Sequence, residues 1–261
     1  EPRGHRGMYG AVVSPSADPD VDLSVFFMTT GGYLPTCVHG SIGVATAMLA
    51  EGRLQPRPDG NLYFDTPGGR MPLTPRYQGG ALAAISLRTQ PGTVTQPQVE
   101  LDADGARIVA SAVFCGVPFL LVPADQTGKA AVQDNLAFFV DLGVRLLAQA
   151  GPSYVLALFY EALPGGGFRD VVIGRTGGID RSPCGAGVGA LAIHEHVAGR
   201  LPVGAELTVT GLIGTQFAVR VVSADAGGVT PEISGSAWVT GTHQFVLADS
   251  DPLAEGFDLG R

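Results

Sequence analysis

The sequence predicts an α+β fold made of two similar domains. Many short runs rich in β-branched residues alternate with turns, which is typical of strands, while helical periodicity appears in few, widely separated segments. A third observation is that one stretch of the first half recurs in the second half. At 261 residues, the chain is long enough for two domains of ordinary size.

Ten runs of β-branched and aromatic residues, bounded by Gly, Pro, Asn, Asp or Ser, predict strands. They cover residues 23–30, 61–67, 81–89, 106–114, 119–124, 154–162, 170–176, 206–214, 217–224 and 235–242.

Three segments predict helices, because apolar residues recur in them at spacings of three and four and a Gly lies near each end. They cover residues 40–52, 132–151 and 185–201.

The recurring stretch covers residues 29–54 and 175–201. In both copies a strand leads into Thr-Gly-Gly, and a proline-containing turn and a cysteine follow. An apolar helix then ends in Gly-Arg-Leu. This repetition predicts two related domains, residues 1–115 and 116–239, each with a long helix that starts at a cysteine. We expect the tail, residues 240–261, to return to the first domain.

Composition excludes several classes of protein. The formal charge is −8 without any cluster of Lys and Arg, so no nucleic-acid partner is expected. No apolar run is long enough to span a membrane, and no signal peptide is visible. Three scattered cysteines favour a reducing, cytoplasmic location over a disulfide scaffold. Because Glu1 is not an initiator Met, we expect that an N-terminal segment is missing.

Cofactor motifs are also absent from the sequence. Lys129 is the only lysine and lies in a polar turn without a phosphate cradle, which disfavours pyridoxal phosphate. There is no GxGxxG after a strand, no Walker motif and no cysteine spacing typical of zinc. We therefore expect neither a cofactor nor a metal.

The two cysteines at predicted helix starts, Cys37 and Cys184, are candidates for chemistry. A helix N-terminus carries partial positive charge and unpaired N–H groups, which favour a thiolate and bind carboxylates. Two such thiols across an interdomain cleft could remove a proton from one face of a carbon and return it to the other. A redox disulfide stays open if the sulfurs approach. Cys115 lacks this context and is interpreted as core packing.

These residues carry a family resemblance. Residues 36–43, TCVHGSIG, and residues 180–187, DRSPCGAG, resemble the two signatures of the proline racemase family. That family includes 4-hydroxyproline 2-epimerases and trans-3-hydroxyproline dehydratases. Residues 1–11, 211–217 and 235–257 also resemble family segments, so the likeness covers essentially the whole chain.

The resemblance implies roles for individual residues. Cys37 and Cys184 match the two catalytic acid/base thiols, and Asp180 matches the carboxylate that holds the substrate amine. His39 matches a residue beside the first thiol that contacts the substrate. The matching backbone amides of the carboxylate cradle belong to Val38, His39, Gly185 and Ala186.

The resemblance also implies the two-domain fold shared with diaminopimelate epimerase, with the active site in the interdomain cleft and no cofactor. Val38 replaces the usual Gly and Ala186 a usual Thr, so the local turn and pocket are expected to differ. Tyr9 and Phe27 are interpreted as walls of an apolar pocket for an unsubstituted pyrrolidine ring.

The sequence therefore predicts a cofactor-independent racemase or epimerase that inverts the α-carbon of proline or a close relative. A 4-hydroxyproline 2-epimerase comes second. A trans-3-hydroxyproline dehydratase comes third, since Cys at both positions disfavours it. A non-catalytic imino-acid-binding homologue and a thiol–disulfide role stay open. The expected partner is a small-molecule substrate, and a homodimer is kept as an option.

Overall fold

The computed structural model describes residues 7–29, 32–254 and 256. It contains fourteen strands, three α-helices and two short 3₁₀ helices in that part of the chain. The strands are β1 (Tyr9–Ser14), β2 (Leu23–Thr29), β3 (Gly32–Leu34), β4 (Leu62–Thr66), β5 (Gly69–Gln78), β6 (Ala81–Arg88), β7 (Thr93–Ala103), β8 (Ala106–Cys115), β9 (Val117–Pro123), β10 (Leu156–Ala162), β11 (Phe168–Gly174), β12 (Glu206–Thr210), β13 (Gln216–Asp225) and β14 (Gly228–Gly235). The helices are α1 (Val38–Ala50), α2 (Leu136–Ala150) and α3 (Gly185–Val197), with 3₁₀ turns at Ala124–Thr127 and Gln133–Asn135.

All fourteen strands belong to one hydrogen-bonded sheet. Its order is β1-β2-β4-β5-β6-β14-β13-β12-β11-β10-β9-β8-β7, with β3 paired to β2. The strands β1 to β6 therefore lie together at one end, and the remaining strands follow in reverse order. The antiparallel pairing of β6 with β14 joins the two runs.

Two helices share the larger hydrophobic core. Both α1 and α3 contribute buried residues to it, and α3 contacts strands from β13 and β14 at one side to β7, β8 and β9 at the other. The sheet must therefore curve around α3. The third helix, α2, packs on the opposite face of β10 and β11 and forms a second core there.

The repeated sequence stretch has a repeated structure. In the first copy, β2 leads through α1 to β4, which pairs parallel to β2. In the second, β11 leads through α3 to β12, which again pairs parallel to the strand before the helix.

Both copies also end their helix in the same way. Gly52 and Gly199, with φ of +67° and +76°, occupy the left-handed position that terminates a helix. The next N–H groups, of Arg53 and Arg200, then bond back to Met48 O and Glu195 O. This is the reason for the repeated Gly-Arg-Leu.

The α+β prediction is confirmed, and the three predicted helices are present. Nine of the ten predicted strands match observed strands. The strand predicted over 235–242 is wrong: β14 ends at Gly235, and residues 236–249 have no regular structure. Sequence reasoning missed β1, β3, β5, β7 and most of β14.

The division at residue 115 stays a prediction. Because β8 pairs with β9 across that residue, we propose that the change from the first unit to the second lies between β6 and β7. Residues 237–239 line a groove with Leu49 of α1 and Leu82 of β6, so the chain after β14 starts back along the first unit. The return of residues 240–254, which are mostly exposed, stays a prediction, and residues 255 and 257–261 lie outside the described part.

Among the helices of the described residues, none is long and apolar enough to cross a membrane.

Candidate active site

Each of the two helix-start cysteines is the N-cap of its helix. Cys37 precedes α1 in an extended conformation (φ −152°, ψ 112°), and its Sγ accepts the N–H of Gly40 at 3.4 Å. Cys184 precedes α3, also extended (φ −75°, ψ 118°), but its side chain makes no such capping bond. Both thiols are buried, with 8% and 7% of each residue exposed. The sequence therefore puts a sulfur at the positive end of two helices.

The two helix starts touch each other. A Cβ built on Gly185 would lie 2.3 Å from Cβ of Val38, so the first residue of α3 packs directly against the first residue of α1. Only a glycine allows this approach, because any side chain there would overlap Val38. The contact brings the two cysteine-bearing turns to the same place in the molecule.

Four backbone N–H groups remain free at this junction. In each helix the fourth amide turns back onto the N-cap: Ser41 N and Val188 N bond to the carbonyl oxygens of Cys37 and Cys184. The first two amides of each helix have no partner within the described chain, as expected at a helix N-terminus. They belong to Val38, His39, Gly185 and Ala186. Such groups favour an anion, carboxylates included.

The environment of Cys37 disfavours its thiolate in the empty site. Burial raises the pKa of the Cys37 thiol to about 11, the Gly40 N–H opposes that rise, and the charge of Asp180 adds to it. His39 lies beside the thiol, with Nε2 3.7 Å from Sγ. The charge of Asp180 therefore raises the pKa of a cysteine 143 positions earlier in the sequence, so the two motifs interact electrostatically.

Cys184 is surrounded by more negative charge. Burial raises the pKa of its thiol well above the usual value, and Asp180 raises it further. The Gly187 N–H works in the opposite direction, and the thiol is within hydrogen-bonding reach of the Asp180 carboxylate. A second carboxyl group, that of Asp170, lies close enough to raise the pKa further whenever it is ionised. The thiol form of Cys184 is therefore strongly favoured.

Tyr9 of β1 lies between the two motifs. Its ring meets the His39 ring edge-on, with centroids 4.7 Å apart. Burial, then the charges of Asp180, Cys184 and Cys37, raise the pKa of the Tyr9 hydroxyl, which is within hydrogen-bonding reach of Asp180. The Tyr9 side chain is therefore close to Asp180, Cys184 and Cys37 as well as to the His39 ring.

The structure places the predicted residues as follows. Cys37, Val38 and His39 form one helix start, Cys184, Gly185 and Ala186 form the other, and Asp180 lies in the turn before the second. Phe27 does not line the site as an open wall. It is 1% exposed, and its ring lies under the first turn of α1, 2.9 Å from a Cβ built on Gly40.

Asp170 is the site residue that sequence reasoning missed. It occupies a position in β11 that alternation assigns to the inner face, together with Phe168 and Val172. The sequence signal that could have identified Asp170 is a carboxylate at an inward-facing position of a strand.

Cys115 has the packing role expected of it. It is fully buried against Gly189 of α3, and burial raises the pKa of its thiol to about 12. Within residues 7–29, 32–254 and 256, no three His, Cys, Asp or Glu side chains are grouped as a metal site requires.

His194 joins a polar chain that resembles a catalytic triad. Its Nε2 lies 3.2 Å from Ser111 Oγ, and its Nδ1 lies 3.2 Å from Oε1 of Glu195, which Arg200 holds at 2.6 and 2.7 Å. However, the Ser111 hydroxyl donates to the Pro97 carbonyl at 2.9 Å, so it is not turned toward a base. We interpret this chain as an anchor of α3 on β8.

Comparisons with known proteins agree on one family. The sequence pattern of the family described as "Proline racemase" matches residues 1–258. A proline racemase of Clostridioides difficile is 31% identical over 280 aligned residues, covering 99% of this chain and 84% of that protein. A 4-hydroxyproline 2-epimerase of Streptosporangium roseum is 30% identical, with 99% and 84% covered.

A solved structure supports the same relationship. A hydroxyproline epimerase from Agrobacterium vitis, with bound trans-4-OH-L-proline, superposes with a TM-score of 0.85 at 25% identity. The superposition covers 95% of this chain and 77% of that structure.

Proposed function

The chain belongs to the proline racemase family, and from this premise we propose that it is a cofactor-independent isomerase that inverts the α-carbon of proline or hydroxyproline. The observation that supports the proposal is the contact of Val38 with Gly185, because the cysteine and the free N–H groups of one helix start then lie next to those of the other. The charge of Asp180 acts on both thiols. A small amino acid with one carboxylate and one ammonium group fits these charges.

In the proposed complex, the substrate carboxylate accepts the free N–H groups of Val38, His39, Gly185 and Ala186. The ammonium group pairs with Asp180. These contacts hold the α-carbon between the sulfurs of Cys37 and Cys184. Because the N–H groups are fixed by the helices, they need no reorganisation when charge builds up on the carboxylate.

The reaction then needs only two proton transfers. The thiolate of one cysteine takes the α-proton, and the electron pair of the broken C–H bond moves into the carboxylate. The thiol of the other cysteine gives its proton to the opposite face of the same carbon, so the configuration inverts. Afterwards the two sulfurs have exchanged protonation states, and the enzyme is ready for the reverse direction.

The raised thiol pKa values fit a site that substrate activates. The negative charge of Asp180 is one cause of the raised pKa of both thiols. A substrate ammonium group beside Asp180 cancels that charge, so binding lowers both pKa values and makes a thiolate accessible.

The Tyr9 side chain suits proline and 4-hydroxyproline for different reasons. The Tyr9 ring offers an apolar wall, which suits an unsubstituted ring. Its hydroxyl offers a hydrogen-bonding partner, which suits a hydroxylated ring and thus a 4-hydroxyproline 2-epimerase as the second candidate. Cys at both motifs supports inversion over the dehydration that a single acid/base group would serve.

We also propose the two-domain arrangement with the site in the cleft between the units, an assembly as a homodimer and a cytoplasmic location. The three free, buried thiols support a reducing compartment.

The deciding experiment is α-proton exchange followed by NMR in D₂O with reduced enzyme. The substrates are L-proline, trans-4-hydroxy-L-proline and trans-3-hydroxy-L-proline. We expect loss of the α-proton signal with proline or 4-hydroxyproline, and the faster of the two identifies the substrate. Binding by calorimetry without exchange of any α-proton would instead indicate a non-catalytic imino-acid-binding protein.

A further inference from the structure

Asp170 is the most deeply buried acid of the region, and the proton transfers above do not use it. It lies in β11 and is 2% exposed. Alternation along the strand sends its side chain toward the core of α3, with Val172, while Val171 and Ile173 face α2. It is therefore enclosed beneath the turn that carries Cys184.

The two oxygens of Asp170 are in different situations. The carboxyl group is within hydrogen-bonding reach of the Cys184 backbone N–H. The other oxygen, Oδ2, has no hydrogen-bond partner in the described part of the chain. A buried polar atom left without a partner is costly, and a buried charge without a counter-charge is much more so.

Among the described residues, those that face Asp170 from the neighbouring elements offer no positive charge. Tyr160 lies across from it on β10, while Asp180 and Cys184 lie in the turn above it. Farther along α3, Glu195 is already paired with Arg200. On β12, the residue nearest in register is Thr210, opposite Arg169. Asp180 in particular would repel a second carboxylate.

We propose that Asp170 is a positioning residue for the second thiol: its carboxyl group stays protonated, fixes the backbone N–H of Cys184, and so sets the direction of that thiol without adding charge beneath it. The inference deepens the proposed function, since it rests on Cys184 as an acid/base group. Burial and then the Asp180 charge raise the pKa of Asp170 well above its usual value, in keeping with a neutral acid.

The protonation state of Asp170 affects the pKa of the Cys184 thiol. An ionised Asp170 would place a second negative charge next to Asp180 and raise the pKa of Cys184 further. The thiol would then be a poorer base in the reverse direction. A neutral carboxyl group offers an acceptor to the Cys184 N–H and avoids this penalty.

The test measures alkylation of Cys184 by iodoacetamide as a function of pH, without substrate, with the labelled peptides quantified by mass spectrometry. Asp170→Asn keeps the shape and an acceptor but can never be charged. Asp180→Asn is the matched control, because it removes a charge that raises the pKa of Cys184. We expect Asp170→Asn to follow the wild-type labelling profile, while Asp180→Asn labels at lower pH. An Asp170→Asn profile shifted to lower pH, like that of Asp180→Asn, would show an ionised Asp170 and overturn the proposal.

Turnover supplies the second measurement. Asp170→Ala removes the acceptor of the Cys184 N–H, and we expect a drop of about 10- to 100-fold in kcat with little change in KM. Asp170→Asn should restore kcat to near the wild-type value. A folded Asp170→Ala variant with wild-type kcat and labelling would also overturn the proposal. If Asp170→Ala does not fold, the labelling profiles of Asp170→Asn and Asp180→Asn decide alone. If the wild type turns over none of the imino acids, the proposed function fails while the labelling still decides the state of Asp170.

Discussion

The first turn of α1 and the first turn of α3 share a design but hold their thiols differently. Cys37 accepts a backbone N–H at 3.4 Å and has His39 beside it. Cys184 makes no side-chain capping bond of normal geometry and lies beside the carboxylate of Asp180. At Cys37 the lowering of the pKa by the Gly40 N–H outweighs the rise caused by Asp180, whereas at Cys184 the rise caused by Asp180 outweighs the lowering by the Gly187 N–H. A repeated motif thus gives two unequal groups, and we expect Cys37 to act first as base and Cys184 as acid.

The largest expected effect tests whether both thiols are needed at all. Cys37→Ser and Cys184→Ser should each reduce inversion by about 10²- to 10⁴-fold, because a hydroxyl is a much weaker acid/base group at neutral pH. Racemisation measured by polarimetry gives the rates.

Cys115→Ser is the matched control, since this thiol is buried away from the site, and its activity should stay within a few-fold of wild type. Near-normal inversion by Cys184→Ser would contradict the two-thiol mechanism.

The next prediction concerns the contact that joins the two turns. Gly185→Ala would put a methyl group 2.3 Å from Val38 Cβ, so we expect a loss of about 1–3 kcal/mol of unfolding free energy by urea titration. Val38→Gly in the same chain should recover most of that loss, because it removes the opposing side chain.

Gly43→Ala, in the same helix as Val38 but with open space at its Cβ, is the control and should stabilise by about 0.5–1 kcal/mol. Additive effects of Val38→Gly and Gly185→Ala would show that the two turns do not touch in solution.

The far ends of the two helices give a third comparison. At α3, burial opposes ionisation of Glu195, but its bonds to Arg200 and His194 prevail and lower its pKa to about 2. We expect Glu195→Gln to cost about 1–3 kcal/mol at pH 7. Because the folded pKa lies below the ordinary value, this stabilisation is present above about pH 4.5 and is lost as the pH falls toward 2.

The acid at the end of α1 is its C-cap residue Glu51, which reaches Arg53 at 3.5 Å on the surface. Glu51→Gln should cost no more than about 1 kcal/mol. Urea titrations of both variants at pH 7 and pH 3 measure these losses of unfolding free energy. Equal costs at pH 7 would mean that the Glu195–Arg200 pair does not anchor α3.

The smallest expected effect refines the role of Asp180. Tyr9→Phe removes a hydroxyl within reach of that carboxylate and leaves the ring against His39. Asp180 is then free to bind the substrate ammonium, so we expect KM to fall by less than about tenfold, the value of one neutral hydrogen bond, with kcat unchanged. A large rise in KM for 4-hydroxyproline alone would show instead that the hydroxyl binds the substrate ring.

The sequence revealed the helices and the cysteine pair because their signals are local. Cys37 and Cys184 each sit between a turn and an apolar helix, and the Gly after each helix marks its end. The strands β5 and β7 were missed because they contain proline. Pro72 and Pro75 each remove only one backbone N–H donor from β5. Pro97 lies in β7, which tolerates a proline because it is an edge strand with register shifts.

Other features depend on contacts that no local pattern contains. The run at 235–242 has strand-like composition, yet Trp238 is 73% exposed and the run pairs with no strand among the described residues. The contact of Val38 with Gly185, and the influence of Asp180 on Cys37, join residues that are more than a hundred positions apart. Such distances are set by the sheet order and not by either motif.

The pairing of β6 with β14 has a consequence for synthesis of the chain. Ser86 and Ser234, which bond side chain to side chain across that pair, are 148 positions apart. At about 5–20 residues per second, the ribosome needs roughly 7–30 s to make the second partner after the first. During that interval the edge of β6 is open to other nascent chains, so we expect the early half of this protein to need a chaperone more than the late half does.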